Sequence, residues 1–382
     1  MDLKFTSEQE MIRQVTREFA DKELLPGAAH FDETQTFPYE LWRKMGEMGL
    51  MGLTMPEEWG GSGADTLSYV LALEEVARGN PALSICMSIN NSMIGGGLLR
   101  FGTDEQKRKY LIPAAKGEKL GGYALSEPGS GSDAVAMQTT AVKKGDKYIL
   151  NGSKMFISNG ESGHFFLVFA THDRTKRSNG ISCFIVEKGF AGFKTGKKLD
   201  KLGMRASDTT ELIFEECEVP EENLLGGEGN GFKLAMQLLD AGRIGIAAQA
   251  LGIAQASYEF ARKYATERQQ FGRPIYDNQA IQFMIADMAT RIEASRLLVY
   301  KAASMYDKGE KVGLNASMAK LFASETAMKV TTDAVQVFGG YGYIKEFPVE
   351  RYFRDAKVTE IYEGTSQIQR MVIARNLLAQ FH

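Results

Sequence analysis

The stretch that decides the fold reads Tyr123-Ala124-Leu125-Ser126-Glu127-Pro128-Gly129-Ser130-Gly131-Ser132-Asp133, followed by Ala134. Gly129, Gly131 and Ala134 satisfy the spacing G-x-G-x-x-A, which would open a dinucleotide-binding βαβ unit if it lay between a strand and a helix. Here the residues up to Lys147 have the pattern of strand and turn. No Asp or Glu stands about 20 residues beyond the first glycine, where a ribose ligand belongs. NAD binding is therefore set aside, and the stretch reads as a loop. It is either a plain surface turn or a cradle whose glycines bring backbone N–H groups close to a polar ligand edge.

On both sides of this loop the period is that of β-structure. Tyr148-Ile149-Leu150, Phe165-Phe166-Leu167-Val168-Phe169, Ile181 through Val186, and Leu212, Phe214 and Val219 are aromatic and β-branched runs. Turn signals such as Lys144-Gly145-Asp146, Asn151-Gly152 and Ser178-Asn179-Gly180 separate them. Strands so spaced, with no helices between, predict an antiparallel sheet or small barrel.

Further out the chain is helical. Ser7 with Glu10 reads as a capping box ahead of Ile12, Val15 and Phe19 at helical spacing. Asp65 or Thr66 caps a helix that stops before Gly79-Asn80-Pro81, another is expected over Leu83 to Leu99, and Thr103 with Gln106 opens one ending near Pro113. After the glycine-rich run Gly226 to Gly231, long helices are expected over about 231 to 269, from an Asp277 cap through Val299, over about 314 to 338, and over 365 to 379. The fold class is α+β multi-domain. It comprises an N-terminal α-helical domain (1–115), a middle antiparallel β-domain (116–225) and a C-terminal four-helix bundle (226–382).

Composition excludes several functions. A net charge of −3 spread along the chain gives no electrostatic case for nucleic acid or an anionic membrane. Cys86, Cys183 and Cys217 are far apart, and the four histidines are isolated, so the thiols read as reduced and no metal site is expected. Met1 to Thr6 shows neither a signal-peptide apolar run nor a transit composition, so a bacterial-type cytoplasmic protein, or a mature form, is expected.

Four further segments carry chemistry-bearing residues. Phe156-Ile157-Ser158 ends a strand with an aromatic ring and a hydroxyl, suited to a flat heterocycle or simply to a core. Arg268-Gln269-Gln270-Phe271-Gly272 closes a helix, where a cation either caps or clamps a phosphate. Gln336-Val337-Phe338-Gly339-Gly340-Tyr341-Gly342 has more glycine than a C-cap requires. Ile361-Tyr362-Glu363-Gly364-Thr365-Ser366-Gln367 places one carboxylate between an aromatic ring and a glycine.

Together with Leu239-Asp240-Ala241-Gly242-Arg243, these segments resemble the acyl-CoA dehydrogenase family of flavoenzymes, and most of all its short- and medium-chain, butyryl type. The resemblance covers essentially the whole chain and rests on the order of the motifs. It implies FAD held non-covalently between the β-domain and the bundle. By position, Tyr123, Leu125, Ser126, Gly131 and Ser132, with Phe156, Ile157 and Ser158, would surround the flavin ring. Arg268, Gln270, Phe271, Asn278 and Gln279, with Gln336, Val337, Gly339 and Gly340, would hold the pyrophosphate and adenosine, partly from a neighbouring subunit. Thr365, Ser366 and Gln367 would complete the site at a helix N-terminus. The CoA thioester would meet Ser132, Asp240, Arg243 and Gly364, with Ser178 as a further contact. Phe156 departs from the tryptophan of several members; it keeps the stacking surface and loses an indole donor.

The resemblance also assigns the chemistry. Desaturation removes a proton from Cα and a hydride from Cβ, and Glu363 takes the role of base. Water exclusion would raise its pKa towards about 6–7. Some relatives carry the base on the long helix instead, at the position matched by Gly242; glycine there and glutamate at 363 agree with each other. An acyl-CoA oxidase and a non-catalytic acyl-CoA-binding relative are the alternatives. An electron-transferring flavoprotein is the expected electron acceptor and a homotetramer the expected assembly.

Overall fold

The computed structural model describes residues 4–379. An eight-stranded sheet contains β1 (Gly121–Ala124), β2 (Thr140–Lys144), β3 (Lys147–Ser158), β4 (Phe165–Thr171), β5 (Ile181–Glu187), β6 (Phe193–Lys198), β7 (Thr209–Pro220) and β8 (Leu224–Leu225). Their order is β6-β7-β3-β2-β4-β5-β8, with β1 also on β4. The β3–β7 and β4–β5 pairings that dominate the sheet are antiparallel, whereas β1 joins β4 in parallel and β2 touches β4 in parallel at Thr140 and Thr171. After Gly131 only the short 3-10 turn Ala134–Ala136 precedes β2, so the helix of a dinucleotide fingerprint is absent.

β4 reads as an unbroken apolar run because it is buried on both faces. Phe165, Leu167 and Phe169 face the core shared with the helices, while Phe166, Val168 and Ala170 face a second core inside the β-domain. Alternate residues of β5 divide in the same way: Cys183 and Ile185 on one side, Phe184 and Val186 on the other. The sheet is thereby fastened to the helices through one of its faces, and the candidate site forms along that seam.

The long helix Gly231–Glu267 runs through the centre of the helical part and is buried almost all round from Gly242 to Ala254. Small residues let its neighbours approach closely. A Cβ on Gly252 would run into Ala77 and the backbone of the helix Thr66–Gly79. Gln279–Asp307, Gly313–Phe338 and Ser366–Leu378 complete the C-terminal bundle. A buried polar network ties the bundle to the N-terminal helices. Arg296 donates to Glu74 at 2.9 Å, and the Tyr300 hydroxyl donates to the same carboxylate at 2.9 Å.

Several helix boundaries differ from expectation. The first capping box is Thr6 with Gln9, not Ser7 with Glu10, because the Thr6 hydroxyl accepts from the Gln9 N–H at 3.2 Å and the Gln9 amide oxygen answers the Thr6 N–H at 3.0 Å. Asn278, not Asp277, sits at the N-cap of the helix Gln279–Asp307. The helix expected from Leu83 begins at Pro81, capped by the Asn80 side chain, and continues to Phe101 through a π-helical stretch, Ile89–Gly95. That widened turn lets buried Asn90 donate to the Met51 and Ala114 carbonyls at 2.8 and 2.9 Å. The helix Val349–Val358 was not anticipated, since its buried face of Val349, Tyr352 and Ala356 is interleaved with Arg351 and Asp355. The apolar helical stretch Pro81–Phe101 is long enough to cross a bilayer, but 89% of its most apolar window lies inside the protein.

Candidate active site

Glu363 sits in the loop between the helices Val349–Val358 and Ser366–Leu378. Its φ is +50° and that of Gly364 is +95°, two consecutive left-handed residues. The carbonyls of this turn are gripped from outside. Gly364 O accepts from Lys320 Nζ at 2.7 Å and from Gln369 Nε2 at 2.8 Å, and Glu363 O accepts from Gln369 Nε2 at 3.3 Å. The turn sends the Glu363 side chain to the long helix at Gly242. A Cβ there would collide with Glu363 Oε2 and with Met93 Cε, so glycine is what leaves room for the carboxylate.

Glu363 Oε2 is buried and has no hydrogen-bond partner. Burial pushes the carboxyl up to about 7 against the smaller opposing pull of Lys320 and Arg243. Its backbone N–H has no partner among the described residues either. A base at neutral pH and a free donor therefore stand on one residue. Arg243 pairs with Asp240 at 2.7 Å, while its buried Nε is unpaired. Tyr362 is oriented by a hydrogen bond from its hydroxyl to Gln249, whose amide donates to Ser84 Oγ at 2.8 Å. One turn along the long helix from Gly242, Gly245 packs against the Ser88 and Tyr69 hydroxyls, both buried and unpaired.

From the β-domain, Tyr123 lies near enough to Glu363 to feel its charge. Tyr123, on β1, packs against Phe169 with ring centroids 5.1 Å apart. The loop after it closes on itself through two backbone hydrogen bonds between Glu127 and Ser130, 2.9 and 3.1 Å long. Beneath it lies a buried ion pair, Lys154 to Glu127 at 2.7 Å, with the lysine side chain 0% exposed. Lys154 also donates to the Leu125 carbonyl at 3.2 Å, and Glu127 accepts from the Gln138 and Thr139 N–H groups. Leu125 and Ser126 are thus held in place, while Gly131 and Ser132 remain exposed at the rim. Phe156, at φ +62°, turns its ring outward and is 67% exposed, between buried Lys154 and Ile157. Ser158 is partly buried and pairs with Thr209 across the sheet.

A second group lies apart from the carboxylate. Arg268, Gln270, Val337, Gly339 and Gly340 line one cavity of about 380 Å³, with Arg268 lying 5.3 Å from the centre of the Tyr341 ring. Phe271, beside them in a tight hairpin, is 98% exposed at φ +54°. Asn278 and Gln279 start the next helix, and Gln336 is exposed at the end of its own. Thr365 caps the helix after Glu363 by accepting from the Ile368 N–H at 3.3 Å, Ser366 Oγ is buried without a partner, and Gln367 is exposed. No backbone hydrogen bond joins Ser178, in the 3-10 segment Arg174–Gly180, to the Glu363 group among the described residues.

These features fit a flat, diphosphate-bearing cofactor. Two aromatic rings protrude at left-handed residues, Gly339 and Gly340 have open space where a side chain would stand, and Ser366 offers an unused hydroxyl. Family models match in sequence along the chain: the acyl-CoA dehydrogenase N-terminal domain over residues 6–118, the middle domain over 122–217 and the C-terminal domain over 229–378. This chain belongs to the acyl-CoA dehydrogenase family. A short-chain specific acyl-CoA dehydrogenase of Clostridium acetobutylicum is 53% identical over 98% of this chain and 99% of its own. Butyryl-CoA dehydrogenase of Megasphaera elsdenii superposes with a TM-score of 0.97 at 46% identity, over 99% of this chain and 100% of that one. A chain solved in work on the electron transferring flavoprotein of Acidaminococcus fermentans and flavin-based electron bifurcation superposes with a TM-score of 0.98 at 54% identity, over 99% and 100%.

Sequence reasoning missed the residues that position this acyl-CoA dehydrogenase site: Lys320, Gln369, Gln249, and the Lys154–Glu127 pair. A signal existed for Lys320, which falls on the same helical stripe as Ala316, Ala323 and Ala327.

Proposed function

We propose that the chain oxidises short straight-chain acyl-CoA thioesters to trans-2-enoyl-CoA, with Glu363 taking the Cα proton. It is an FAD-dependent acyl-CoA dehydrogenase, an oxidoreductase acting on a CH–CH bond. The observation that carries the assignment of the base is Glu363 Oε2, buried and unpaired on a carboxyl that burial pushes up to about 7, beside a glycine that makes room for it. Bound FAD supplies the acceptor for the Cβ hydride.

The chain's own residues do the rest. Glu363 Oε2 receives the proton in a site closed to water by Tyr362, Met93 and the long helix. The Glu363 N–H donates to the thioester oxygen as negative charge develops there, a contribution of about 3–4 kcal/mol. Leu125, Ser126, Gly131, Ser132 and Phe156 to Ser158 receive the flavin, and Thr365 to Gln367 meet it from the helix N-terminus. Arg268, Gln270, Phe271, Asn278, Gln279, Gln336, Val337, Gly339 and Gly340 take the pyrophosphate and adenosine of a cofactor shared with a neighbouring subunit. The outward ring of Phe271, which its own chain does not cover, supports that sharing and a homotetramer. Asp240, Arg243, Gly364 and Ser132, with Ser178 at greater remove, bind the CoA moiety. The three zones, divided near residues 115 and 225, form the walls of this one site. Electrons leave to an electron-transferring flavoprotein, and the enzyme works in the cytoplasm.

The test is Glu363→Gln. Turnover is lost while FAD stays bound and acyl-CoA still perturbs the flavin spectrum; near-normal turnover would overturn the assignment.

A further inference from the structure

Lys320 lies on the helix Gly313–Phe338 among Ala316, Ala319, Ala323 and Ala327, and it is fully buried. An ammonium stripped of water is costly unless something specific receives it. No carboxylate lies within ion-pair distance of it among the described residues. Its hydrogen bond goes to the carbonyl of Gly364, the residue immediately after Glu363. Gly364 belongs to the two-residue left-handed turn, which costs a non-glycine residue such as Glu363 about 1 kcal/mol or more and persists only where surroundings enforce it.

We propose that Lys320 is the positioning residue of the catalytic carboxylate: by holding the Gly364 carbonyl it fixes the turn that aims Glu363 at Gly242. This rests on the reading of Glu363 as the base. The ammonium also acts through its charge. Glu363 is faced by Lys320 from this helix, by Arg243 with its partner Asp240 from the long helix, by Tyr69 from the helix Thr66–Gly79, by Tyr123 from β1, and by Tyr362 from its own loop, while Glu360 acts on Lys320. Lys320 and Arg243 are the groups that favour its ionised form. Lys320 is itself drawn down to about 8 by burial, so it is largely charged up to the midpoint of the Glu363 ionisation at about 7.

Two variants separate grip from charge. Lys320→Met removes both, and Lys320→Gln leaves a donor for Gly364 without the ammonium. In both, the acidic limb of the kcat/KM profile moves up by about one pH unit, a roughly tenfold loss on the acid side that is regained as pH rises. The infrared carboxyl band assigned by its disappearance in Glu363→Gln moves with it. Lys320→Met additionally lowers kcat at every pH, with little change in KM, because the turn is no longer held. If Lys320→Met does not fold, Lys320→Gln carries the test of the charge, and the smaller Lys320→Ala, which also removes the donor to Gly364, carries that of the grip. A limb and a carboxyl band at wild-type positions in Lys320→Gln would overturn the charge coupling, and wild-type kcat at high pH in a folded Lys320→Met would overturn the positioning role. An active Glu363→Gln would instead overturn the assignment of the base itself.

Discussion

Glu363→Gln tests the physics of the site through stability as well as through turnover. In the unfolded chain the carboxyl ionises near 4.5, and in the fold near 7. A raised folded pKa means that the group's contribution to stability is full below 4.5, declines between the two values and is gone above about 7. The shift corresponds to about 3 kcal/mol at about pH 8, which the folded protein forgoes by keeping that carboxylate ionised and desolvated. A neutral isostere does not titrate, so Glu363→Gln is expected to gain nothing near pH 4.5 and about 3 kcal/mol near pH 8 over the wild type. Turnover falls in the same variant by roughly 10²–10⁴, the usual range for removing a general base. The assay is denaturant unfolding of both proteins across that pH range at a constant excess of FAD. A gain that does not change with pH, or no gain at pH near 8, would refute the claim that burial sets the carboxyl.

Other expectations follow from the same geometry. Moving the carboxylate by combining Glu363→Gly with Gly242→Glu restores roughly tenfold or more over Glu363→Gly alone, as steady-state turnover would show; Gly242→Glu alone is worse than wild type, because the new side chain meets Glu363 Oε2 and Met93. Lys154→Met strands buried Glu127 and costs about 3–5 kcal/mol, read by thermal unfolding and FAD retention, whereas adding Glu127→Gln recovers part of that loss. Activity measured from butyryl- to palmitoyl-CoA peaks at the short end; a maximum at palmitoyl-CoA would contradict the short-chain reading.

Much of this architecture is written in local patterns. The change of period at Tyr148, Phe165 and Ile181 marks β3, β4 and β5, and the Thr103–Gln106 capping box forms as expected, with Gln106 donating back through its backbone N–H at 3.2 Å to Thr103. Glycine at 242 and glutamate at 363, 121 positions apart in sequence, are in contact in the fold. The features that escaped notice depend on tertiary burial. Lys154 has the residue type of a solvated side chain, and only the packing around it reveals that it is enclosed; Lys320 has the same type, and only its place on an alanine stripe hints at its burial. The π-helical turn at Ile89–Gly95 has no residue signature of its own, since its extra width serves the contacts of Asn90 and Asn91 with loop carbonyls. The helix Val349–Val358 is obscured by charges that are satisfied only in the fold, such as Asp355, which accepts from the Met204 N–H.

With Glu363 read as the base, its contact with Gly242 also constrains the order in which a lineage can relocate that carboxylate. A carboxylate arriving first at 242 enters a volume already filled, beside a like charge, so that intermediate loses both packing and function. Loss of the glutamate at 363 to glycine relieves a strained backbone position and empties the same volume. The viable path therefore runs through a well-folded, inactive or barely active ancestor, not through one with two bases. Such a state survives only where the gene is temporarily unneeded or duplicated. A change of two residues thus acts as a gate between branches of descent.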